Sequence, residues 1–512
     1  MDLNKALILA HEFLISGKIN EAENKFNEIL KYDPQNLHAL NNLGNIYIQK
    51  KNFSKGILFF EKCLKINENF FQAQINKGTC HQNLKQYSDA LDSYKKTLEI
   101  KPDFIEAYFN IGNCLLKLNK YEDAILNYDK ILEKKPKNIN AIFNKGLCFE
   151  KLEKFEIALK NYNQIIQIEK KFFIAHLHKG NCLKQLHCFQ EAIDSYNKAI
   201  EIGSNSTNFK SVAKYSLGCL QLLMGNYKDG WKNYEYRKKE KFEFSQTKEW
   251  KGEQNLQGKS IFIHNEQGFG DYIQFIRYLP MLKKLGAKII LNTPNKLLPL
   301  IKSMNVEFEI IDINRQDQLN FDYYCSILSL PFNFKTSIYN IPNAVPYLKV
   351  NEKIKEFWKK KISKTKKNIG IKWTGNKNYL DDKNRSTNLN QLKSLFDLPI
   401  DFHSLEMEYS TEDNFFKKDI KNLYCYDKEL MDFEYTAGLI ENMDLIITTD
   451  TSIAHLSGAL NKSTWIMLPK LPDFRWLINR RDSPWYPSFK LYRQDKIRSW
   501  NNVIKKIKED LK

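Results

Sequence analysis

No apolar run in the 512 residues reaches the ~18 needed to span a bilayer, so no membrane span is predicted. The start, Met1-Asp2-Leu3-Asn4, lacks the basic residues and continuous apolar stretch of a secretory signal, and Ala6 to Ile15 fits a helix instead; a cytoplasmic location is expected. Short paired cysteine spacings are missing as well. Nine cysteines, an odd number, fit a reducing compartment better than a disulfide framework. There is no Asp-x-Asp motif, so no metal ligand set is expected. Basic residues are not confined to one face. The formal charge is +19, yet Lys is spread over nearly every helical stretch, and the densest block, Lys353 to Lys367, with eight Lys to one Glu, reads as a solvated linker or helix face. That excludes an RNA-binding stripe with interleaved aromatics, and no specific nucleic-acid partner is expected.

What the chain does have is a period. Gly44, Gly78, Gly112, Gly146 and Gly180 are 34 residues apart, and Ala39, Ala73, Ala107, Ala141 and Ala175 keep the same step. This is the tetratricopeptide spacing, a pair of helices per unit. Units fall at 3–36, 37–70, 71–104, 105–138, 139–172 and 173–206, with Ala10 in place of the first glycine. Gly180 to Gly218 and Tyr196 to Tyr234 step by 38, so a degenerate seventh unit follows an insertion around Gly203 to Asn208. Small residues of the first helix (Gly44, Gly78) are expected to face small residues of the second (Ala90, Ala124, Ala158, Ala192), with Tyr94, Tyr128, Tyr162 and Tyr196 between neighbours. Pro34, Pro102 and Pro136 end the second helices. Cys80, Cys114, Cys148 and Cys182 share the period, but repeats ~9 Å or more apart cannot bring four sulfurs within ~2.3 Å of one zinc ion. They are expected to be small core residues.

A solenoid of this kind leaves a continuous groove lined by its first helices. Asn42, Asn76, Asn110 and Asn144 lie two residues before the glycines, with His178 in the fifth place. Carboxamides carry a donor and an acceptor, so an even ladder of them could hold an extended peptide backbone bidentately. The ladder resembles that of protein O-GlcNAc transferases, whose repeats read similarly to Asn41-Asn42-Leu43-Gly44-Asn45. The plainer alternative is that Asn is simply abundant and locally bonded.

After about residue 240 the pattern changes. Ser260 to His264 reads as a buried strand, followed by a turn, Glu266-Gln267-Gly268-Phe269-Gly270-Asp271, and a helical stretch to Leu285. More strands are predicted at Lys288 to Leu291, Val306 to Ile310, Tyr323 to Leu328, Ile369 to Trp373 and Asp444 to Thr448. Two Rossmann-like α/β lobes follow, with a cleft between their strand ends. The expected division is repeats at 1–240, a linker at 241–258, a first lobe at 259–350 and a second at 351–512, whose amphipathic last helix, Trp500 to Leu511, folds back over the first lobe. The third glycine of a dinucleotide fingerprint is missing.

Gly268-Phe269-Gly270-Asp271 with Arg277-Tyr278-Leu279-Pro280, and Thr449-Asp450-Thr451-Ser452-Ile453-Ala454-His455-Leu456, resemble the two signature regions of the bacterial heptosyltransferases, glycosyltransferase family nine. The whole layout is similar to repeat-containing relatives of that family and to protein O-GlcNAc transferases. The resemblance implies a two-lobed GT-B-type head that moves a sugar, without metal or resident cofactor, from a nucleotide-diphosphate sugar to a protein or glycan acceptor. It implies that Asp271 is the catalytic base, that Thr451, Ser452 and His455 bind the donor phosphates with Asp450 orienting the turn, and that a basic residue such as Lys372, beside Thr374, offsets diphosphate charge.

The residues themselves allow that chemistry. Transfer needs a base and an anion cradle, and a helix opening at Thr451-Ser452 offers backbone N–H groups at its positive end. Asp271, near a helix start, is expected to stay ionised, with a lowered pKa; Glu266 is the back-up base. Arg385-Ser386 and Trp485-Tyr486 could add anion or ring contacts. The structural alternatives are a cap for Asp271 and a core position for His455. The first lobe is short for a heptosyltransferase, which weakens the case for a lipid acceptor. The alternative function is a non-catalytic repeat scaffold with a vestigial head.

Overall fold

The computed structural model describes residues 2–203, 207–238, 248–311, 320–363, 365–379 and 381–512. Part of the expected linker and part of the expected insertion therefore lie outside the described residues. The chain divides into two compact units, Met1–Asn205 and Ser206–Lys512. No described helix is long and apolar enough to cross a membrane.

The first unit is six helical pairs. First helices run Leu3–Ile15, Leu37–Gln49, Phe71–Asn83, Ile105–Lys117, Ile139–Lys151 and Phe173–Gln185; second helices run Ile19–Tyr32, Phe53–Ile66, Tyr87–Ile100, Tyr121–Lys134, Phe155–Ile168 and Phe189–Ile202. Each first helix ends in a left-handed residue at one repeat position: Gly17, Lys51, Lys85, Asn119, Glu153 and His187, with φ between 57° and 75°. Such residues satisfy the last carbonyls and turn the chain into the second helix.

The glycines pack differently from the expectation. A Cβ on Gly44 would lie 2.4 Å from the Phe60 ring, and on Gly78, Gly112, Gly146 and Gly180 it would lie 2.6, 2.7, 3.0 and 2.6 Å from Tyr94, Tyr128, Tyr162 and Tyr196. The glycine thus makes room for an aromatic ring of its own repeat; the alanines of the second helices are buried but are not its nearest neighbours. The ring hydroxyls return to the first helix: Tyr94 donates to Gln82 (2.9 Å), Tyr128 to Asn113 (2.9 Å), Tyr162 to Glu150 (3.0 Å) and Tyr196 to Asn181 (2.9 Å). Cys63, Cys80, Cys114, Cys148 and Cys182 are free and fully buried, one in each repeat from the second to the sixth. Among the described residues no cluster of His, Cys, Asp or Glu could hold a metal ion.

The seventh pair, Thr207–Leu223 and Tyr227–Tyr234, belongs to the second unit rather than to the repeat arm. Trp231 explains why. Its buried indole meets Phe275, Phe474 and Trp485 edge-on at 6.2, 5.7 and 6.4 Å, so this hairpin shares a core with both lobes of the head.

The first lobe is a parallel sheet of β1 (Ser260–His264), β2 (Lys288–Asn292), β3 (Glu309–Ile311) and β4 (Tyr323–Ser326) in the order β3-β2-β1-β4. The second is a parallel sheet of β5 (Asn368–Lys372), β6 (Asp401–Ser404), β7 (Leu423–Tyr424), β8 (Leu445–Thr449), β9 (Thr464–Leu468) and β10 (Phe489–Arg493) in the order β10-β9-β8-β5-β6-β7. Counted from its own first strand, each sheet follows the doubly wound 3-2-1-4 order, so the strand order reverses between β1 and β4 and between β5 and β8, while all the strands stay parallel. The helical stretch expected up to Leu285 is broken into Phe269–Phe275, a 3₁₀ turn and Leu279–Lys284, with Pro280 starting the last piece. The final helix, Asn501–Leu511, does not supply a cover for the first lobe as expected. Its face of Val503, Ile504, Ile507 and Leu511 joins the second lobe's core of Ile369, Phe402 and Trp373, because its apolar stripe matches that sheet's.

Replacing Gly112 by Ala should push a Cβ into the Tyr128 ring and lower the stability of the repeat unit by about 1–3 kcal/mol, measured by denaturant unfolding followed by helical circular dichroism. Gly17→Ala, which meets no atom within 4 Å, tests backbone strain alone and should cost less.

Candidate functional site

The candidate residues come from the carboxyl ends of the inner strands, at the two switch points. After β1 the chain turns through Gln267, held left-handed at φ 66°, into Gly268, which opens the Phe269–Phe275 helix. After β8, Thr451 caps the Ser452–Ala459 helix, its hydroxyl accepting from the Ile453 amide at 3.3 Å. These two helices pack against each other across the lobes. A Cβ on Gly270 would lie 2.8 Å from His455 Cδ2 and 3.4 Å from Ser452 Cα. Glycine is required there by close approach alone, and the approach brings the Gly-Asp turn and the Asp450 to His455 segment together.

Asp271 is the third helical residue rather than the cap. One carboxylate oxygen accepts the Gly268 amide at 3.0 Å, and the other accepts from the Arg475 guanidinium of the second lobe. Its side chain keeps 19% exposure. The expectation of a lowered pKa is corrected: burial raises it, outweighing Arg475 and the Gly268 amide. Arg475 is itself buried. It donates to Asp473 at 2.7 Å and to Gln274 at 2.5 Å, and the far amide nitrogen of Gln274 has no partner among the described residues.

Asp450 accepts from Arg385 through its backbone carbonyl at 2.8 Å, and Arg385 is steadied by Asp382 at 3.0 Å. Burial first, then the neighbouring Asp473 carboxylate, pushes the Asp450 side chain up to about 6. His455 sits in the core. Its Nδ1 is 3.0 Å from the Tyr486 hydroxyl and its ring stacks on Trp476, while burial and then the charges of Arg475, Arg277 and Arg385 hold it neutral, well below the usual histidine range. Of the residues expected to face phosphate, the structure leaves Ser452 half-buried and uses Thr451 as a cap.

Lys372 and Thr374 leave β5 and converge on buried Glu406. That carboxylate takes the Trp373 and Thr374 amides at 2.9 and 2.7 Å, the Thr374 hydroxyl at 2.7 Å and the Lys372 ammonium. Glu266, the expected back-up base, is turned away from Asp271: both its oxygens are held by Arg237, at 3.0 and 2.9 Å. Trp485 and Tyr486 are fully buried packing residues rather than cleft contacts, and Arg277 ties the lobes by donating to the Trp485 carbonyl at 2.7 Å. Arg475, Glu406 and Arg237 are the site's missed members. Arg475 lies 204 residues from Asp271, and no spacing in the sequence relates them.

In the groove the ladder is partly spent. Asn42 donates to the His38 carbonyl (2.8 Å), Asn76 to Asn45 (2.9 Å) and Asn144 to Asn113 (2.8 Å), while His178 meets Glu150 at 2.9 Å. Asn110 forms no side-chain hydrogen bond among the described residues. Asn42 and Asn144 each give one of their two amide hydrogens to the repeats, and only Asn76 directs its amide at two acceptors, Asn45 and Asn41. Two surface cavities, of about 500 Å³ along the final helix and about 630 Å³ beside the Glu352–Lys361 helix, include none of the candidate residues.

Comparison with known proteins concerns mainly the repeats. The tetratricopeptide repeat family matches residues 38–70, 71–104 and 105–138. Protein FlbA of Caulobacter vibrioides is 20% identical over 329 residues, 58% of this chain, and the match spans only 54% of FlbA. A crystal structure of MamA is 21% identical, with a TM-score of 0.32, over 33% of this chain and 92% of that one. A tetratricopeptide repeat protein from Parabacteroides merdae is 16% identical, with a TM-score of 0.39, over 47% and 94%.

The Asp450 pKa fixes a sign. A carboxyl whose folded pKa lies above its unfolded value of about 3.9 favours folding at low pH and loses that contribution as pH rises through about 6. Asp450→Asn should therefore flatten stability between pH 4 and 7 and raise it at pH 7 by about 1–3 kcal/mol, read by urea unfolding across that range.

Proposed function

We propose that the head is a metal-independent, inverting glycosyltransferase of GT-B type, supplied with a polypeptide or glycan acceptor by the repeat groove. The observation that carries the reading is the convergence at the two switch points. A carboxylate of the first lobe, Asp271, lies beside the opening of the second lobe's Ser452–Ala459 helix, with Gly270 against Ser452 and Arg475 joining the two. In this reading the acceptor hydroxyl gives its proton to Asp271 as its oxygen bonds the anomeric carbon. The bond from that carbon to the donor phosphate breaks, and the nucleoside diphosphate leaves with the electron pair. The helix opening and the guanidinium groups of Arg475 and Arg385 offset the charge that develops. A raised Asp271 pKa suits a base, since it narrows the gap to the acceptor.

One observation favours the second reading, a scaffold with a vestigial head. Three of the charged candidates already have an intramolecular partner: Asp271 has Arg475, Glu266 has Arg237 and Lys372 has Glu406.

The test is thermal shift against UDP-, GDP-, ADP- and CMP-sugars, since a ligand at 100 times its Kd stabilises by ~2.7 kcal/mol. A shift with one donor is expected, kept in Asp271→Asn while transfer falls about 10²–10⁴-fold, and insensitive to EDTA. No shift with any donor leaves the scaffold.

A further inference from the structure

In a doubly wound sheet the crevice outside the carboxyl ends at the switch point is where a ligand ordinarily sits. In the first lobe that place, between the ends of β1 and β4, holds a side chain of the protein itself. Arg237 follows the seventh helical pair, and its side chain is 2% exposed. Its Nε and one terminal nitrogen donate to the two oxygens of Glu266, two residues beyond β1, at 3.0 and 2.9 Å. The same terminal nitrogen reaches Ser329 at 3.0 Å and Ser326, the last residue of β4, at 3.4 Å. The other donates to Glu235 at 2.6 Å and to the Tyr234 carbonyl at 3.3 Å. Ser326 also donates to Glu266 and Ser329 to Glu235. All five guanidinium hydrogens have acceptors, and the planar fork matches the carboxylate in a way three ammonium hydrogens cannot.

Glu266 is joined by one residue, the left-handed Gln267, to Gly268, and the Gly268 amide donates to Asp271. We infer that Arg237 is a positioning residue. It fills the first lobe's switch-point crevice, clamps Glu266 and so sets the Gly268 to Asp271 turn, which makes the seventh helical pair a working part of the head.

The placement can be tested on the full-length protein without a known substrate. Hydrogen exchange at the Gly268 to Tyr272 amides should quicken at least tenfold in Arg237→Lys and in Glu266→Gln, while the β8 amides, Leu445 to Thr449, keep their protection. In Arg237→Ala, millimolar guanidinium should restore the turn's protection by occupying the emptied crevice. Unchanged exchange at the turn in both conservative variants overturns the inference, as does an equal rise at β8 or a failure of guanidinium to rescue a folded Arg237→Ala. A second readout rests on the glycosyl-transfer reading: Arg237→Lys should lower kcat about hundredfold with donor KM unchanged, because a misplaced catalytic group costs about that much. An inactive wild-type protein would sink the reading, whereas an active wild-type with an equally active Arg237→Lys would sink the inference.

Discussion

The head depends on one close approach. The Phe269–Phe275 and Ser452–Ala459 helices can touch only because position 270 has no side chain, and the Cβ missing there is the width of the contact. From that contact follow the reach of Arg475 to Asp271, the burial that raises the Asp271 pKa, and the burial that, with the nearby arginines, keeps His455 neutral. Arg277 and the Trp231 cluster tie the two lobes together at further points, although each sheet keeps its own hydrophobic core.

Much of this was legible in the sequence, and the limits have physical causes. The repeat period and the buried strands are local patterns; β1 runs over the predicted Ser260 to His264, and β8 is one residue off the predicted span. The predicted turns do come together. What could not be read are partnerships closed by the fold. Glu406 gathering the β5 loop and Arg237 claiming Glu266 pair residues that no periodicity links, and the glycines and aromatic rings, though they share the 34-residue step, are shown to meet only by the fold. The pKa of Asp271 departs from the expectation for a related reason. A helix start lowers a carboxylate's pKa in water, but the amount of water around it is decided by the other lobe.

The groove carries the same lesson in a different form. Carboxamides at even spacing invite a ligand-binding interpretation, yet an array of helices must first satisfy its own polar groups where repeats meet. Asn76 and Asn144 reach into the preceding repeat and knit the stack together.

The column of cysteines gives the arm a built-in record of its own opening. Burial pushes the thiols of Cys63, Cys80 and Cys148 up to about 12 and that of Cys114 to about 11, so in the stacked state they are nearly inert toward oxidants and alkylating reagents. Repeat arrays open piecewise, each unit contacting only its neighbours. With one such thiol in each repeat from the second to the sixth, the order in which they become reactive is the order in which the solenoid comes apart.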